Sequence, residues 1–146
     1  MGDELATSNV NRSYSLAGTS IAIFTFMLIF LYPRYASGQI DPALFQFTLA
    51  VMTVATFSFV FAAFLYYGSS MGSRIGDHDR AVYARRADRL WLLGIISLFL
   101  APSLILFTVG LAVIGTGWLA LWLGYVVFVV RYFPRVQTPP RRGESA

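Results

Sequence analysis

Four long apolar stretches, from Tyr14 to Tyr32, Leu44 to Tyr67, Leu90 to Ile114 and Trp118 to Phe133, carry no Asp, Glu, Lys or His, and the single Arg among them is Arg131, near the end of the last. Stretches of this kind have very few stable destinations. At 1.5 Å rise per residue, about 20 helical residues cover the roughly 30 Å hydrocarbon core of a bilayer. The last stretch reaches that length when Thr116 and Gly117 join it, so the predicted spans are 14–32, 44–67, 90–114 and 116–133. Lipid offers no partners to backbone N–H and C=O groups, which leaves helices or closed barrels, and barrel strands are about 10 residues long and alternate in polarity. The runs are therefore predicted to be helices. A mean hydropathy of +0.64 with 57% hydrophobic residues agrees, because a soluble domain of ordinary composition lies well below that. The fold class expected is an all-α, polytopic membrane protein, a four-transmembrane-helix bundle over residues 1–135. The Pro-rich, polar segment 136–146 reads as a disordered cytoplasmic tail.

Orientation follows from arginine, since the chain contains no lysine. An even number of spans puts both termini on one side, together with the connection between spans two and three. That side holds Arg12, Arg74, Arg80, Arg85, Arg86, Arg89, Arg131, Arg135, Arg141 and Arg142, and the other holds Arg34 alone. The positive-inside rule then places both termini in the cytoplasm, for a multi-pass protein of a plasma (inner) membrane. Tyr14, Tyr66, Tyr67, Trp91 and Tyr132 mark the inner interface, with Tyr32, Tyr35 and Trp118 at the outer one. A cleaved signal peptide ending near Ala36-Ser37-Gly38 fits less well. Asp3 and Glu4 oppose the single Arg12, the apolar run is long for such a leader, and three remaining spans would break the arginine pattern.

Helices in lipid associate by close packing of small residues rather than by the hydrophobic effect. At 100° per residue, Gly94, Ser97, Ala101, Thr108, Ala112 and Gly115 share one face of the third span. Ser15, Gly18, Ala22 and Thr25 do so on the first, Ala55, Ser58, Ala62 and Ser69 on the second, and Gly117, Ala120 and Gly124 on the fourth. These are the expected helix-packing faces, and their heptad-like spacing predicts left-handed packing near +20°. Phe57, Phe61 and Phe64 lie on another side of the second span. Pro102 predicts a kink in the third, with Ser97 or Ser103 available to the freed backbone group.

Catalytic chemistry finds little to work with. No cysteine is present, which removes thiolate metal sites and thiol redox. Ion coupling and voltage sensing need an ionisable residue inside a span, and a histidine-ligated haem needs a histidine there, whereas His78 lies in a connection. Asp77-His78-Asp79 is too small for a metal site, and Asp77 or Asp79 reads better as an N-cap. Asp41-Pro42 is a helix start of the same kind, a cap followed by Pro at the first helical position. No enzymatic activity and no cofactor are expected.

Asp79 to Arg89 should be a helical extension that puts Arg85, Arg86 and Arg89 on one face, against anionic lipid headgroups or a partner. Arg131 is expected to point into the inner end of the bundle, near Asp88. The partners expected are membrane lipids, anionic ones included, and other membrane subunits or copies of the chain, with no nucleic acid. The leading expectation is a protein that works by helix–helix association, as an accessory or scaffold subunit or a homo-oligomer. A channel lined by Ser, Thr and Gly is the alternative, followed by a lipid- or hydrophobe-binding protein using a gap at Pro102. The topology has a direct test in this cysteine-free chain. Ser37→Cys and Ser73→Cys should react with a membrane-impermeant thiol reagent from opposite sides, and labelling from the same side would exclude four spans.

Overall fold

The computed structural model describes residues 2–70 and 76–136, which form four helices: α1 (Gly2–Ala36), α2 (Pro42–Ser70), α3 (Asp77–Thr108) and α4 (Ala112–Val136). All four are long and apolar enough to cross a membrane. The segment 137–146 of the expected tail lies outside the described residues, as do Gly72, Ser73 and Arg74.

The ends of these helices have local causes. Asp41 caps α2 as its sequence predicts: its carboxylate accepts the Leu44 N–H at 2.8 Å, and Pro42 begins the helix where no donor is needed. The first helix runs through Pro33 for one further turn to Ala36. Gly38, at φ +73°, then ends it. Its N–H reaches the Tyr35 carbonyl and that of Gln39 reaches Arg34, the paired bonds of a Schellman turn. For α3 the cap is Gly76 and not Asp77 or Asp79, with no side-chain bond at that position. Asp77 and His78 instead occupy the first turn, and the helix continues unbroken through Asp79 to Arg89 into the apolar stretch.

The largest departure from the expected boundaries is the turn between the last two helices. It falls at Val109-Gly110-Leu111 rather than at Gly115-Thr116-Gly117. Gly110 takes φ +83°, and the Leu111 N–H closes on the Leu106 carbonyl at 2.8 Å while that of Gly110 closes on Phe107. This is a second Schellman turn, at a position where a Cβ would be strained. Ala112 and Gly115 consequently belong to α4, and the face drawn through them as a continuation of α3 is broken.

Packing follows chain order, α1 on α2, α2 on α3 and α3 on α4, with α2 against α3 the most extensive contact. Gly94 lets that contact form. A Cβ built there would stand 2.8 Å from the Phe59 ring, closer than carbon atoms approach, and Phe59 itself has no exposed surface. Around this point Ala17, Ala55, Phe59 and Ile95 make one buried cluster, and Met27, Leu31, Phe45, Met52 and Ala101 form another towards the Tyr35 end. There the Tyr35 and Phe45 rings stack at 5.0 Å.

The last helix is attached differently. Its two tryptophans donate indole N–H bonds to backbone carbonyls of α3, Trp118 to Phe99 and Trp122 to Ile96, both at 2.8 Å. Ser103 Oγ donates to the Gly115 carbonyl at 2.9 Å, so it joins the two helices rather than serving its own backbone at Pro102. Both indole acceptors lie within two turns of Pro102, whose ring crowds the carbonyls on its N-terminal side. Tyr125 packs on Phe99 with ring centroids 5.5 Å apart.

Substituting Gly94 should therefore be costly. Gly94→Leu is expected to destabilise the protein by about 1–3 kcal/mol, the range for overpacked cores, read as a lowered melting temperature in detergent. Leu93→Ala, on the exposed side of the same turn, should change it little. An unchanged melting temperature for Gly94→Leu would show that the Phe59 contact is dispensable.

Candidate functional site

Two features of the surface stand apart from ordinary apolar covering, and the first is a pair of small-residue faces. On α1 the residues turned inward are Ser13, Ala17, Ser20, Met27 and Leu31, while Ser15, Gly18, Ala22 and Thr25 are all exposed. The expected packing face of α1 thus lies on the far side of the helix from α2. Both sets repeat at heptad-like intervals, and α1 packs through the one that also offers Met27 and Leu31 to fill the space against α2. The same reversal occurs on α4, where Gly115, Trp118, Trp122, Tyr125 and Val129 face α3 and Gly117, Ala120 and Gly124 point away. A Cβ added at Gly18, Gly117 or Gly124 would meet nothing within 4 Å. By contrast Gly94, Ser97, Ala101 and Thr108 of α3 are buried, as are Ala55, Ser58 and Ala62 of α2, with Ser69 half-buried; Ala112 is exposed and Gly115 buried.

The second feature is a polar recess at the arginine-rich end, of about 200 Å³, lined by Asn9 and Arg12 from α1, Tyr66 from α2, and Asp88 and Trp91 from α3. The Tyr66 hydroxyl donates to Asp88 Oδ1 at 2.6 Å, and the Arg12 guanidinium lies over the Trp91 ring, 4.7 Å from its centroid. A neighbouring recess of about 390 Å³ shares Asn9, Tyr66 and Asp88 and adds Ser69, Arg80 and Ala84. Arg80 Nε donates to the Ser69 carbonyl at 3.0 Å, tying the start of α3 to the end of α2.

Three antiparallel neighbours bring these groups to one height. Arg12, Tyr66 and Asp88 each lie about 20 to 24 residues, or about 30 to 36 Å, from the opposite end of their helices. That common count is the signal by which the cluster could have been found in the sequence. Its partners differ from those expected, because Asp88 receives Tyr66 and shares its recess with Arg12, whereas Arg131 is exposed on the outward face of α4. Arg85, Arg86 and Arg89 are exposed on α3, with Arg85 Nε donating to its own Ala81 carbonyl at 3.2 Å. Among the described residues there is no group of three His, Cys, Asp or Glu side chains placed to hold a metal.

Phe26, Phe30, Phe47, Phe57, Phe61, Phe64, Leu121 and Val130 are exposed, so the helices carry an apolar exterior. No family model, no curated protein and no solved structure matches the chain.

The three exposed arginines give a test of their own. Replacing Arg85, Arg86 and Arg89 together by alanine should weaken binding to anionic liposomes by about 1 kcal/mol per charge at low salt, and raising the salt should weaken the unaltered protein in the same direction. Equal binding by both proteins at every salt concentration would leave these arginines with topology as their role.

Proposed function

We propose that this chain is an integral membrane protein, with both termini in the cytoplasm, that acts by associating with further copies of itself through its spanning helices. One observation carries the reading: α1 and α4 each turn a small-residue face of heptad-like spacing away from the helix they pack against. Lipid-facing surfaces gain nothing from small residues, whereas helix contacts in a bilayer depend on them. The exposed phenylalanines of α2 are the contrast within the same molecule. A contiguous apolar exterior of that kind on a protein in water would promote aggregation, which supports the bilayer as its solvent.

Self-association is favoured over a foreign partner because the two faces occur together on one chain, on helices that pack on different neighbours. A contact between α4 of one copy and α1 of the next is heterologous, and it closes into a ring where the rotation between copies closes. A channel lined by hydroxyls has less support. Thr19, Ser20, Thr48, Thr53, Thr56, Thr108 and Thr116 all donate to the carbonyl four residues earlier, so these hydroxyls are satisfied without water.

The open space at Gly18 and Gly124 separates association from folding in an experiment. Gly18→Leu and Gly124→Leu should each lower the oligomer mass in detergent, by analytical ultracentrifugation or cross-linking, while leaving the protomer as resistant to thermal unfolding as before. A monomeric unaltered protein, or variants that retain the full oligomer mass, would overturn the proposal.

A further inference from the structure

The recess between α1, α2 and α3 contains two opposite charges that do not neutralise each other directly. Arg12 stacks on Trp91 and, among the described residues, makes no hydrogen bond or ion pair. Asp88 accepts the Tyr66 hydroxyl on Oδ1 and forms no ion pair among the described residues. Both line the same space of about 200 Å³. A guanidinium with unused donors asks for an oxyanion, and its planar fork suits a phosphate. A carboxylate with spare acceptor capacity, in the same recess, asks for a cation that can donate hydrogen bonds.

We infer that this recess binds the headgroup of an aminophospholipid, with the phosphate on Arg12 and the primary ammonium on Asp88. The assignment rests on the membrane-spanning reading above. It is the one common headgroup chemistry that answers both charges at once. An anionic headgroup without an amine would satisfy Arg12 but set a second negative charge against Asp88. A quaternary ammonium cannot donate to a carboxylate, and one face of the Trp91 indole, the other attraction for such a cation, is covered by Arg12. The height is right as well, since Tyr66 and Trp91 are residues that favour the membrane interface. One turn further into the spans, the partly exposed Leu16 of α1 borders this end of the bundle, so an acyl chain running inward would meet an apolar side chain. The Tyr66 hydroxyl fixes one oxygen of Asp88, and Trp91 holds the guanidinium plane. The site is therefore assembled by the fold before the lipid arrives.

The test uses the full chain in detergent micelles, titrated with phosphatidylethanolamine, phosphatidylcholine and phosphatidylglycerol of identical acyl chains, with bound lipid counted by native mass spectrometry. Phosphatidylethanolamine should bind about tenfold more tightly than the other two, the effect of one charge-assisted hydrogen bond. Asp88→Asn should reduce it to the phosphatidylglycerol level. Arg12→Gln should weaken all three lipids, and Arg12→Lys, which keeps the charge, should retain the preference and serve as the folded control. Equal affinity for the three headgroups, or an unchanged preference in Asp88→Asn, would overturn the inference while leaving the membrane reading intact. Binding of no lipid at all would likewise overturn the inference. Soluble phosphoethanolamine forms the last arm: affinity equal to that of the lipid would assign the recess to a free phosphate ester and reject the lipid, and weaker affinity supports the lipid.

Discussion

The approach of α2 to α3 at Phe59 and Gly94 governs the rest of the molecule. One residue without a side chain lets an aromatic ring lie against the facing helix, and the clearance is too small for even a methyl group. That spacing sets how far apart the two helices run in both directions from the contact. Two turns along α2 from Phe59 comes Tyr66, and less than two turns from Gly94 along α3 comes Asp88, and where the two helices run this close their side chains meet in a 2.6 Å bond. With α3 placed, α1 and α4 have a surface to join, and each joins by its own means. Alanine, serine and methionine fill the contact of α1, while two indoles and a serine fasten α4.

How much of this could be read from the residues depends on how local each cause is. The cap at Asp41 and the start at Pro42 were legible because both act within four residues. The number of helices was legible because long uncharged runs admit no competing pattern. The turn at Gly110 was hidden, since a single glycine between Val109 and Leu111 is a weaker punctuation mark than the pair at Gly115 and Gly117. The φ of Gly110 decided the matter, and backbone sign is invisible in composition. On α1, two sets of residues with the same spacing competed for one role, and only the bulk of Met27 and Leu31 against α2 distinguishes them. The recess was the least legible part. Its members come from three helices, and they meet because of helix lengths rather than because of any motif.

Small residues perform two jobs in this chain that sequence spacing does not separate. On α2 and α3 they make room for a neighbour already present, as at Gly94, Ala55 and Ala62. On the outward sides of α1 and α4 they leave a flat surface with nothing against it. Hydroxyl residues split in the same way. Ser103 spends its donor between helices, while most of the others return theirs to their own backbone. The reason is geometric, because a hydroxyl reaches the carbonyl one turn back without help, and crossing to another helix requires that helix to be close.

The turn at Val109-Gly110-Leu111 bears on how such a protein would be made. It contains no charge and no polar side chain, and its backbone is closed on itself by the two bonds to Leu106 and Phe107. For a chain that spans a membrane, passing this turn across the bilayer would desolvate very little. The last two helices would then enter as a preformed hairpin, needing no machinery to carry a hydrophilic segment across. The connection between α1 and α2 is a different proposition, since Arg34 and Asp41 flank it and would carry their charges with it.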